Sequence, residues 1–155
     1  MAKDKILLVD SREKWTQMGS KDLHIGHYLD HNCIPYRVEK LDVGDYMFEG
    51  GTTTVDRKQN LEELSRNLTN PADKERFMRE VRRASKKCMR LVVLVETNKF
   101  QKIDDLRLWR SKYTSVTGWT LIKIIRRLWY SYGVEFVFCP RRSSAKKILE
   151  ILQNK

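Results

Sequence analysis

Short apolar runs of strand length alternate with segments of helical period along this chain, and that alternation limits its fold more than any other feature. Lys5-Ile-Leu-Leu-Val-Asp10 is a buried strand that ends on a carboxylate. Residues 35–41 alternate as a strand should, and 45–48 and 52–58 flank Glu49-Gly50-Gly51 as arms of a β-hairpin. Met89–Thr97 is the strongest buried strand, and residues 134–139 form another. Between these lie helical patterns over 20–31, with Ser20 as N-cap, and from the capping-box pattern Asn60-Leu-Glu-Glu63 onward. Further helices are predicted over 71–87 with Pro71 in the first turn, over 117–132 up to Gly133, and over 143–152 capped by Ser143. Residues 98–116 are polar and fit neither period. Strands alternating with helices around an antiparallel hairpin specify an α/β sandwich, with flanking helices on a mixed central sheet. With no internal repeat or Pro/Gly/Ser-rich linker, residues 1–155 read as a single domain.

No apolar run approaches the roughly 18 residues of a membrane span. The start, with only Ile6–Val9 apolar, is too short for a secretory signal, so a cytoplasmic protein is expected. Cys33, Cys88 and Cys139 form no CxxC pair, which argues against a disulfide framework or zinc site. Cys33 and Cys139 stand among apolar residues and are expected to be small buried hydrophobes.

The net charge of +11 is unevenly spread. Residues 1–56 carry 7 Lys/Arg against 10 Asp/Glu, a balance of −3; residues 57–155 carry 24 against 10, a balance of +14. Carboxylates concentrated within a cationic chain suit an acidic pocket on a polyanion-binding surface. Over 74–90, Lys74, Arg76, Arg79, Arg82, Arg83, Lys86, Lys87 and Arg90 face only Glu75 and Glu80. Arg79, Arg82, Arg83 and Lys86 fall at i, i+3, i+4 and i+7, a stripe that suits DNA phosphates better than mere solvation.

The chemistry centres on Gly44-Asp45-Tyr46 and Val55-Asp56-Arg57-Lys58. Residues two apart on a strand share a face, so Asp56 and Lys58 point one way while Val55 and Arg57 point the other. A hairpin can set Asp45 beside Asp56, and two such carboxylates can hold a hard cation such as Mg²⁺ while leaving water and phosphate positions open. Lys58 can then orient the attacking water or stabilise the transition state. An Asp followed by Asp-x-Lys is the pattern of the PD-(D/E)xK nucleases.

Asp10-Ser-Arg-Glu13, Val43-Gly-Asp-Tyr46 and Val55-Asp-Arg-Lys58 followed by Glu62 occur in an order that resembles the XPF family of structure-specific endonucleases, the excision-repair cross-complementation group 4 type, which includes archaeal Hef. The resemblance continues through Leu91–Glu96 and Phe138-Cys-Pro140 and covers nearly the whole chain except about 98–117. It implies a restriction-endonuclease-like three-layer sandwich and a nuclease that cuts branched or junction DNA such as flaps, forks or recombination intermediates. Carried over by position, Asp10, Glu13, Asp45, Asp56 and Lys58 are catalytic; Asp45, Asp56, Asp10 and Glu62 hold Mg²⁺ or Mn²⁺. Arg12 and Arg57 orient those carboxylates or touch phosphate. Asp56 stands where the family usually has Glu, and Glu62 where it usually has Asp. The family's tandem helix-hairpin-helix modules have no counterpart in this sequence, as in stand-alone phage or mobile-element forms; host cytoplasm or nucleoid is the corresponding location. A homodimer through helices 117–132 and 143–152 is also implied.

Two other functions fit parts of the pattern: a catalytically inactive DNA-binding subunit, and an RNA-binding protein or ribonuclease. Retention of all five catalytic positions argues against the first, and the lack of an aromatic-rich RNA motif against the second. His24, His27 and His31 share one side of a helix but lack a fourth zinc ligand at typical spacing, so surface or half-buried histidines are expected. Trp109, Trp119, Trp129, Tyr130 and Tyr132 can stack on bases, though the spacing of Trp129 and Tyr132 with Ile125 and Leu128 favours core or dimer packing.

Overall fold

The computed structural model describes residues 5–21 and 23–154; Met1–Asp4, part of the start read above, lie outside them. Six strands form one mixed sheet: β1 (Leu7–Asp10), β2 (Tyr36–Glu39), β3 (Tyr46–Phe48), β4 (Thr53–Lys58), β5 (Arg90–Glu96) and β6 (Glu135–Cys139), in the order β2-β1-β3-β4-β5-β6. The β3–β4 hairpin is antiparallel, as is β1 with β3, while β1–β2, β4–β5 and β5–β6 run parallel. Among the described residues, five α-helices accompany the sheet: α1 (His24–His31), α2 (Leu61–Thr69), α3 (Pro71–Lys86), α4 (Gly118–Tyr132) and α5 (Ser144–Gln153).

The period of two along the central strands sorts the core into two layers. On β5, Leu91, Val93 and Val95 pack with Leu64 and Leu68 of α2, Phe77 and Val81 of α3, and Leu121 and Ile125 of α4. Val92 and Leu94 face the other way, onto Ile25 and Leu29 of α1 and Ile148 and Leu152 of α5. Central β4 and β5 are buried along nearly their whole length, as parallel strands covered on both faces must be. This is the three-layer α/β sandwich expected. Each of these leucines holds roughly 2–5 kcal/mol of stability against truncation to alanine.

The two acidic-side helices begin as the sequence dictates. Asn60 Oδ1 accepts from the Glu63 amide (2.7 Å) to open α2, and Asn70 accepts from Asp73 N (3.3 Å) ahead of Pro71 to open α3. Glu63 reaches back to the Gln59 amide (2.7 Å), completing a reciprocal cap one residue outside the usual box. Other boundaries move. The first helix starts at His24, and Ser20 is not its N-cap: Gly19 (φ +81°) turns the chain, and Ser20 N closes that turn onto Gln17 O. Ser143 precedes α5 without a side-chain cap bond. Residues 98–116 contain a 3₁₀ turn at Ile103–Leu108 and an isolated bridge between Arg110 and Thr117. Cys139 is buried as expected, but Cys33 is exposed at the tip of the turn after α1. Among the described residues, no helix is long and apolar enough to cross a membrane.

Candidate active site

The predicted residues converge at the carboxyl ends of β1 and β4, the side on which open α/β sheets present ligand sites. Tyr46 pairs with Val55 across the hairpin, and the next step in that register sets Asp45 opposite Asp56. Asp45 N donates to Val55 O (2.7 Å), and Asp45 Oδ2 accepts from Arg57 N (2.8 Å), so this acid is held by the strand it faces. Gly44 makes the approach possible. Its φ is +71°, and a Cβ there would stand 2.1 Å from Thr54 Oγ1 and 3.1 Å from Val55 O.

A cleft of ≈ 540 Å³ is lined by Asp10, Arg12, Glu13, Asp45, Asp56, Arg57 and Lys58, together with Glu63 and Glu80. Lys58 Nζ lies 3.0 Å from Asp56 Oδ2, donates to Asn67 Oδ1 (3.1 Å), and sits 5.5 Å from the Phe77 ring centroid. Burial opposes the charge of Lys58, but Asp56 and Asp45 outweigh it and raise its pKa, so it is a fixed cation at neutral pH. Despite that ion pair, Asp56 Oδ2 is buried with no hydrogen-bond partner, and so is Glu80 Oε1. Asp45 is intermediate in exposure; desolvation within the cleft, then the charges of Asp56 and Glu13, raise its pKa well above the carboxylate range. Glu80 is pushed up to about 7, by burial and by Asp56.

Asp10 and Glu13 are held differently. Asp10 accepts from Arg12 Nε (2.7 Å) and from the Leu41 amide (2.9 Å), and Arg12 also donates to Leu41 O (3.0 Å). The rest of Arg12 is exposed at the mouth of the cleft. Glu13 accepts from Tyr46 Oη, itself a 2.7 Å acceptor from Trp15 Nε1, and from Arg57 Nη1 (3.0 Å). Burial raises the pKa of Glu13, with Arg57 opposing, and burial and then Glu13 raise that of Tyr46.

The structure spreads the other expected residues over several places. Arg57 is buried on the α1/α5 face, where its Nε donates to Glu96 Oε2 (2.7 Å). There it also bonds Glu13 and sets that carboxylate's orientation. Glu62 does not stand with the cleft acids: its two oxygens take Ser111 Oγ and Lys112 N, each at 2.8 Å, and pin the 111–116 loop to α2. The neighbouring Glu63, about 100° round the helix, is the one that lines the cleft. The basic stripe divides too. Arg79 and Arg83 border, with Arg76, a recess that shares Arg12, Lys58, Glu63 and Glu80 with the cleft; Arg82 faces a groove beside α4. Lys86 is exposed and lines neither. The helix is thus part of the site's wall. His24 is half-buried, 3.6 Å from Glu96, while His27 and His31 are exposed. Trp129 and Tyr132 are 58% and 41% exposed, which excludes core packing for them.

Glu80 was missed because it reads as a counter-ion among eight cations. A usable signal was present: it falls three residues after Phe77 and four before Ala84, both buried, on the inward edge of α3.

The fit to a divalent cation rests on the unpartnered oxygens of Asp56 and Glu80 beside Asp45, an all-oxygen set suited to hard ions. Among the described residues no three His, Cys, Asp or Glu form a ready-made cage. The ion would take its remaining ligands from water and phosphate, as Mg²⁺ commonly does.

The ERCC4 domain profile matches residues 9–152. Among solved structures, XPF from Aeropyrum pernix superposes with a TM-score of 0.69 at 16% identity, covering 96% of this chain and 63% of that one. Comparison with curated proteins finds no match.

Proposed function

Since the chain belongs to the ERCC4 domain family of nucleases, we propose that it is a metal-dependent DNA endonuclease, using Mg²⁺ or Mn²⁺, that cuts branched or junction DNA such as flaps, forks or recombination intermediates. One observation carries this: Asp45 and Asp56 lie side by side next to a charged Lys58, in a cleft that opens onto a cationic helix.

Asp45 and Asp56, with Asp10 beside them, would hold the ion, which when bound lowers the pKa of coordinated water and offsets charge on the phosphate. The chain's own groups do the rest. Lys58 is held by Asp56, Asn67 and Phe77 and can donate to phosphate oxygens as their charge grows. Arg12 is tethered to Asp10 with its guanidinium at the cleft mouth, placed to pair with a neighbouring phosphate. Tyr46 and Arg57 hold Glu13 at the cleft wall. Arg76, Arg79 and Arg83 extend the positive surface and would track the backbone without reading bases.

Residues 1–155 would act as one nuclease unit, in a cytoplasm or nucleoid where DNA is reachable. A homodimer would use α4, whose Trp129 and Tyr130 are exposed, more than α5, whose Ile148, Leu149, Ile151 and Leu152 are spent in the core. The test is incubation with labelled DNA flap, fork, four-way junction, duplex and single strand, and with labelled RNA, with Mg²⁺, Mn²⁺ or EDTA. Cutting confined to junction substrates with a metal is expected. Cutting of RNA alone, or none with either ion, would reject the proposal.

A further inference from the structure

We propose that Glu80 of α3 is a metal-binding residue, giving its Oε1 to the divalent ion that Asp45 and Asp56 would hold, with at most one water between. The proposal rests on the metal-dependent function above and adds a group from a different element of the fold.

The case begins with how the cleft acids are already engaged. Asp10 accepts from Arg12 and Leu41 N, Glu13 from Tyr46 and Arg57, and Glu63 from Gln59 N. Asp45 keeps one amide bond, to Arg57 N. That leaves Asp56, whose side chain is 7% exposed and whose Oδ2 meets only the Lys58 ammonium at 3.0 Å, and Glu80, whose Oε1 is buried with no hydrogen-bond partner. These two residues line one cleft. The nearby cations are engaged: Lys58 with Asp56 and Asn67, and Arg83 Nε with Asp42 O at 3.1 Å.

A carboxylate left in this position works against the fold. Buried polar atoms are nearly always partnered, and burying an acid beside another acid is unfavourable. Position 80 lies at the edge of the apolar stripe formed by Phe77, Val81 and Ala84. A neutral side chain there would remove the repulsion from Asp56. A divalent cation removes it as well, while also supplying the partner that Glu80 Oε1 lacks. α3 then joins the hairpin in gripping the ion, and its arginines are set at a fixed position relative to the reacting phosphate.

The test is binding of Mn²⁺ to DNA-free protein, followed by calorimetry or by the loss of the free-ion electron paramagnetic resonance signal. Four proteins are compared: the unaltered chain, Glu80→Gln, Asp56→Asn, and Glu75→Gln as an exposed control on the same helix. Glu80→Gln is expected to weaken Mn²⁺ binding by roughly 10–100-fold, with Glu75→Gln unchanged. In EDTA, Glu80→Gln should melt at or above the temperature of the unaltered protein, because a repelling charge is gone. Weakening by Asp56→Asn with none by Glu80→Gln would overturn the assignment and leave the metal site standing. Absence of Mn²⁺ binding by the unaltered protein would overturn both. Loss of folding in Glu80→Gln, or a lower melting temperature in EDTA, would assign Glu80 to structure instead.

Discussion

Strand β4 turns Arg57 to one face of the sheet and Asp56 and Lys58 to the other, and the two neighbourhoods are completed to different degrees. On the α1/α5 face, the Arg57 guanidinium spans Glu13 and Glu96, Ser144 Oγ donates to Glu96, and Tyr46 and Trp15 extend the chain of bonds. Burial disfavours the charge of Arg57, yet Glu96 and Glu13 raise its pKa. On the α2/α3 face, Asp56 Oδ2 meets only the Lys58 ammonium and Glu80 keeps a buried Oε1 without a hydrogen-bond donor. A closed network stiffens the sheet and holds Glu13 at the cleft wall. The open one holds the acids and the lysine that the proposed chemistry would use.

Ordered by size, the effects that would break or sharpen this contrast begin on the open face. Asp45→Asn keeps the shape of the hairpin but removes a charge from the cleft, so single-turnover cleavage should fall by roughly 10²–10⁴-fold. Unchanged cutting would remove Asp45 from the site. On the closed face the currency is stability. Glu96→Ala leaves Arg57 buried beside only Glu13, and equilibrium unfolding should lose about 3–5 kcal/mol. A loss below ~1 kcal/mol would show that the network is not what stiffens the sheet.

Glu62 supplies a sharper comparison, because it follows β4 closely yet faces away from the cleft. Glu62→Ala frees Ser111 and Lys112 N and should cost about 1–3 kcal/mol in unfolding while Mn²⁺ affinity stays unchanged. A large drop in affinity would return Glu62 to the metal set. The smallest effect belongs to the cationic wall. Arg79→Ala/Arg83→Ala should reduce the log–log salt slope of duplex binding by roughly one unit per charge, measured in Ca²⁺ to suppress cutting. An unchanged slope would make the stripe a solvated face and move DNA to the side of Arg126, Arg127, Arg141 and Arg142.

What was legible in the sequence is what depends on local period. Strand parity placed Asp56 and Lys58 together and Arg57 opposite, and the hairpin glycines implied the register that faces Asp45 with Asp56. Asn60 and Pro71 marked helix starts that the structure keeps. What was hidden depends on which elements meet. Glu96 lies 39 residues from Arg57, at the end of an apolar strand, and nothing local marks it as the partner. Glu62 and Glu63 are both acidic, and only the packing of α2 decides which one enters the cleft. Cys33 stands beside Ile34 in sequence, yet it occupies a left-handed turn (φ +54°) that exposes it.

The most direct measurement is one sample of Asp56→Asn taken through two assays: single-turnover cleavage of a labelled flap with Mn²⁺, and equilibrium unfolding in EDTA. Asp56 carries the open face, so cleavage should fall by roughly 10²–10⁴-fold while the protein still folds cooperatively, with stability lowered by the loss of the ion pair to buried Lys58. Cleavage at the original rate by a folded Asp56→Asn protein would contradict the central claim that this face of β4 is the catalytic one.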